Sequence, residues 1–180
     1  TQALGNALGL RHQLGVLAHA HDQVGADIRR EDDDRIPEVD EPALAAAVFT
    51  YRSSTHPTWL PGRYNNFWMP RRFSTAGPLL SIPASVTPLL RFPLFWLSFK
   101  NFPQPLYRLA ARSVLAADGY AALYFHPWEF VDLSRYNLPP HVVRLSGQPL
   151  VDRLRRFIDW VRPHASFTTY EQFATSLPVY

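Results

Sequence analysis

The feature that most constrains this chain is a helix stop followed at once by a buried-type strand. Leu106 to Ala117 has helical spacing, and Asp118-Gly119 ends it. Tyr120 to Phe125 then runs as an unbroken apolar, β-prone stretch and breaks into His126-Pro127-Trp128-Glu129-Phe130. A helix that feeds directly into such a strand is the building unit of α/β folds. In those folds the loops at the carboxyl ends of strands carry the chemistry. His126 stands at that place, either as a catalytic imidazole or as a packed core histidine.

The rest of the chain extends the alternation. Leu4, Ala7, Leu10, Leu14 and Leu17 recur at helical spacing, which predicts a helix over 1–20. Residues 22–40 are polar, and the run Glu31-Asp32-Asp33-Asp34 reads as a solvated loop or helix end. A helix is expected over 41–48, with Pro42 in its first turn, and strands over 48–51 and 79–82. Leu150, Leu154, Phe157, Ile158 and Val161 mark one face of an amphipathic helix over 150–161. A last strand over 167–170 and a helical turn over 171–174 close the pattern. Residues 53–75 are loop-rich, with Trp59, Tyr64, Phe67, Trp68 and Phe73 interleaved among prolines. In the proline-rich stretch 87–105, Phe92, Phe95, Trp96 and Phe99 read as core.

Alternating strands and helices argue for an α/β layer or barrel. A complete eightfold barrel takes about 200–250 residues. This chain has 180, so a reduced or incomplete barrel in a single domain over 1–180 is the expectation. Hydrophobic residues at 47% and charged ones at 18% suit a packed core rather than disorder. The absence of cysteine excludes disulfides and thiolate metal sites. The net charge of +3 comes with scattered arginines and no nucleic-acid footprint. No apolar stretch approaches the ~20 residues of a membrane span, and no signal peptide is visible, which leaves the compartment open.

Several longer motifs are more specific. They are Tyr51-Arg52-Ser53-Ser54-Thr55-His56-Pro57-Thr58-Trp59, Pro61-Gly62-Arg63-Tyr64-Asn65-Asn66, and Ile82-Pro83-Ala84-Ser85-Val86-Thr87-Pro88. Two more are the His126 motif, from Tyr124 to Phe130, and Phe167-Thr168-Thr169-Tyr170-Glu171-Gln172-Phe173. On these the chain resembles the polysaccharide deacetylases (the NodB homology domain) from about residue 43 to 173. The resemblance implies a distorted (β/α)7 barrel. It also implies a divalent metal, zinc foremost, held by one Asp and two His. A second Asp serves as general base, a late His as general acid, and an Arg orients the base. The substrate class is N- or O-acetylated sugars of a polysaccharide or oligosaccharide.

Carried over by position, the resemblance makes His126 the general acid. Arg35, in Arg35-Ile36-Pro37, becomes the base-orienting group. The run from Arg11 to His21 looks like a diverged His-x-x-x-His motif, in which His21 matches the second metal ligand and Leu17 replaces the first. Trp59, Tyr64 and Trp128 have rings to stack on pyranoses, and Asn65 has an amide to bond their hydroxyls. The Asp-Asp motif of the family's first strand has no counterpart upstream of Arg11, so the expected barrel lacks that strand. Two readings follow. The first is a metal-dependent carbohydrate deacetylase whose site is incomplete in this chain. The second is a non-catalytic glycan-binding or scaffold relative that has lost the metal. A metal-free esterase pairing His126 with Ser53 or Ser54 is a weaker third, because no Gly-x-Ser-x-Gly elbow is present.

Overall fold

The fold is that of a computed structural model, which describes residues 12–18, 50–53, 55–61, 64–76 and 79–177, with 12–18, Tyr64 and Ala76 in backbone only. The amino-terminal part contributes strands β1 (His12–Ala18), β2 (Tyr51–Arg52), β3 (Trp59–Leu60), β4 (Tyr64–Asn65), β5 (Ser74–Ala76) and β6 (Leu79–Ser81). Helices α1 (Trp96–Asn101) and α2 (Gln104–Asp118) follow, then β7 (Tyr120–Phe125) and a 3-10 turn (Pro127–Phe130). The chain continues through α3 (Pro140–Val143), α4 (Gln148–Val161), β8 (Ala165–Thr168) and α5 (Tyr170–Ser176).

Among the described residues the strands form three small sheets. In the first, β1 lies between β7 and β8 and runs parallel to both. In the second, β6 pairs parallel with β2 and antiparallel with β5. The third is the β3–β4 hairpin. The first two sheets are stitched beyond β6, where Ser85 N–H donates to the Ala122 carbonyl and Ala122 N–H to Ser85 Oγ, both at 2.9 Å. A parallel bridge also joins Phe95 to Tyr124.

The predicted helix over 1–20 is corrected here, because 12–18 is a strand. Leucine spacing favoured a helix, but Gly15 weakens a helix interior and Val16 is β-branched. Between β7 and β8 the segment also supplies partners for two strand edges, which would otherwise leave backbone groups unpaired.

β7 organises the core because both its faces are covered. Successive strand residues point to opposite faces. Ala121, Leu123 and Phe125 lie in the larger cluster, with Phe99 of α1, Tyr107 and Val114 of α2, and Phe157 of α4. Phe99 is fully buried and packs edge-on against Tyr107, Phe125 and Phe157 at 5.0, 5.1 and 5.6 Å. Tyr120 and Ala122 lie in a second cluster with Leu80, Ile82, Tyr170 and Phe173. Tyr124 and His126 continue that second face toward the carboxyl end of the strand.

The turn into β7 rests on Gly119, which caps α2 at φ 77°. A β-carbon there would meet nothing within 4 Å, so substitution costs only the left-handed backbone. Gly119→Ala is therefore expected to destabilise by roughly 1 kcal/mol, read as a lower urea midpoint with unchanged slope.

Candidate functional site

His126 is the first residue beyond β7, and Pro127 immediately turns the chain into the 3-10 segment. The turn is closed at both ends. Glu129 N–H donates to the His126 carbonyl at 3.1 Å, and His126 N–H donates to Glu129 Oε1 at 2.8 Å. Behind the turn, Gly147 N–H donates to the Glu129 carbonyl at 3.1 Å. Gly147 has φ 65°, and a β-carbon on it would come within 3.2 Å of Asp132 N. Only glycine lets the start of α4 approach this closely and brace the loop.

The imidazole sits in an aromatic cage. Trp128 stacks on it at 5.2 Å and 20°, while Trp96 of α1 meets its edge at 5.7 Å. The two indoles are 5.5 Å apart and perpendicular-like. The Tyr124 hydroxyl lies 2.8 Å from Nε2 and 3.1 Å from Nδ1. A neutral imidazole has one donor and one acceptor nitrogen, so this hydroxyl can serve either tautomer. His56, from the loop after β2, packs edge-on to Tyr124 at 5.5 Å. Half-burial lowers the His126 pKa from its ordinary 6.5 by desolvation.

Beneath the cage are two buried ionisable groups. Glu129 is fully buried, and desolvation pushes its carboxyl up to about 7, against the pull of the His126 N–H and the Lys100 charge. Lys100 is also fully buried, donates from Nζ to the Val142 carbonyl at 2.6 Å, and lies 5.6 Å from the Trp96 ring centroid. Burial lowers its pKa, opposed by Glu129.

The structure thus unites His126 and Trp128. Trp59 and Asn65 are brought together elsewhere, opposite each other on the β3–β4 hairpin, with Tyr64 beside them in the backbone register. Trp59 is 60% exposed. Asn65 Oδ1 accepts from Phe67 N–H at 3.3 Å. His21 and Arg35 lie outside the described residues. Ser53 Oγ is 2.8 Å from the Tyr170 hydroxyl, so it is engaged away from the imidazole.

The sequence places Trp96 in the core. It does pack against the core, but it also forms a wall of the cage. Glu129, Tyr124 and His56 lie within the sequence motifs, which assign them no role. The spacing of Glu129, three residues after His126, is that of a side chain reaching back to a turn's first N–H, and was the available signal for it.

Among the described residues no group of three or more His, Cys, Asp or Glu is placed to hold a metal ion; the expected ligand His21 is not among them. Comparison with family models, curated proteins and solved structures found no match.

Proposed function

We propose that this chain is a polysaccharide-deacetylase-type domain that acts on acetylated sugars, with His126 as the proton donor to the departing sugar nitrogen or oxygen. One observation carries the reading: a half-buried imidazole at the carboxyl end of β7, caged by Trp96 and Trp128 and paired with the Tyr124 hydroxyl. The resemblance of the surrounding motifs supplies the reaction class. Hydrolysis of an acetamide adds water to the carbonyl, breaks its C–N bond and releases acetate. The departing nitrogen needs a proton, which the His126 imidazolium would give and then recover from solvent. The lowered pKa makes that imidazolium the stronger acid. The incomplete (β/α)7 barrel belongs to the same proposal, supported by the parallel pairing of β8, β1 and β7 and of β2 and β6.

Trp128, 41% exposed over the imidazole, also favours a second reading in which the site only binds the glycan. Purified chain incubated with acetylated chitooligosaccharides separates the two. Acetate release supports the enzyme; binding without release supports the glycan-binding module. Neither binding nor release would remove both.

A further inference from the structure

Two short rows of side chains meet at the amino-terminal end of the first sheet. Arg112, Leu115 and Ala116 are spaced i, i+3 and i+4 on α2, so they share one side of that helix. Trp160, Pro163 and His164 repeat the spacing at the end of α4 and in the turn after it. That turn is closed by His164 N–H, which donates to the Val161 carbonyl at 2.7 Å. The two rows line one pocket of about 420 Å³, a size that suits a small organic ligand.

The pocket is separate from the His126 site. α2 ends just before β7, and His164 immediately precedes β8. Tyr120 and Ala165, the first residues of those strands, pair with the neighbouring Gln13 and His12 of β1. The pocket therefore lies at the amino-terminal end of β7, while His126 follows its carboxyl end, roughly 20 Å along the strand.

The apolar wall is held in place by the fold. Trp160 packs against the core and lies tilted to Phe157 at 5.7 Å. The Arg108 guanidinium sits 5.4 Å from the Trp160 ring centroid and donates from Nη2 to the Arg156 carbonyl at 3.1 Å. The His164 ring is 5.6 Å from Trp160. Such a preformed wall lowers the ordering cost of binding. The charge is one-sided, since among the described residues no carboxylate lines the pocket. Asp159, next to Trp160 in sequence, pairs with Arg162 at 3.7 Å, and Asp118 is held by Arg71 and Arg72. Arg112 is exposed and makes no hydrogen bond or ion pair among the described residues.

We infer that this pocket binds a small monocarboxylate with an apolar body. The carboxylate takes the Arg112 guanidinium, with the His164 imidazole beside it, and the body lies against Trp160, Leu115 and Pro163. One uncommitted guanidinium matches one carboxylate in both charge and fork geometry. The site is independent of the activity proposed for His126.

The test is a titration of the purified chain, labelled at histidine, with 4-phenylbutyrate, followed through the ring signals in proton–carbon correlation spectra. His164→Gln identifies the His164 signal. Saturable movement of that signal is expected, with the His126 signal unmoved. The neutral 4-phenylbutanol and the bodiless acetate should each bind about tenfold more weakly or worse. Arg112→Gln should weaken 4-phenylbutyrate binding by about tenfold or more. Its circular dichroism spectrum should match wild type, because the side chain is exposed and unbonded. An unmoved His164 signal, equal binding of the alcohol, or equal binding by Arg112→Gln overturns the inference. Movement at His126 in place of His164 overturns it too, because the anion would then occupy the other site.

Discussion

Glu129→Ala is expected to destabilise the fold by about 2–4 kcal/mol and to loosen the loop that presents His126. The carboxyl is fully buried and accepts the His126 N–H. Its removal leaves that donor unmet, at about 1–3 kcal/mol, and opens a cavity beneath the turn. Glu129→Gln keeps an acceptor of the same shape and separates the hydrogen bond from the charge. The folded carboxyl titrates at about 7 against an ordinary value of 4.5. Its contribution is therefore fully present below pH 4.5 and is lost as pH rises through 7. The loss is on the order of 3 kcal/mol. The glutamine variant lacks this term. Urea denaturation at pH 5 and pH 8 should show wild type losing more stability than Glu129→Gln over that interval. Parallel losses in the two proteins would mean that Glu129 is not a neutral acid in the fold.

The second large effect concerns turnover. His126→Ala is expected to lower acetate release by about 10²-fold or more, the usual scale for a positioned general acid. Stability should change far less, because the ring is half-buried and its neighbours Trp96 and Trp128 also contact each other. Oligosaccharide binding should survive if the indoles carry it. A matched loss of binding and turnover would instead make His126 a structural support of the cage.

What the sequence showed depended on how local the cause was. β7 and its terminal histidine were legible, because helix stop, apolar run and proline lie consecutively. α4 was legible from one apolar stripe, and the structure extends it only to Gln148–Val161. β1 was not, since leucine spacing pointed to a helix while the deciding influence was a gap between two distant strands. α1 was not legible, because it lies in a stretch punctuated by Pro88, Pro93, Pro103 and Pro105. The cage was half legible. Trp128 is adjacent to His126 in sequence, whereas Trp96 and His56 arrive through the Phe95–Tyr124 bridge and the loop after β2. No local pattern encodes such a meeting.

The central claim is that His126 delivers a proton from the end of β7. The most direct measurement is kcat/KM for acetate release from acetylated chitooligosaccharides between pH 5 and 8, in wild type and His126→Ala. The account predicts a wild-type rate that falls as pH rises through a value below 6.5, the direction set by burial of the ring, and the loss of that limb in the variant. The same limb and the same rate in His126→Ala would contradict it.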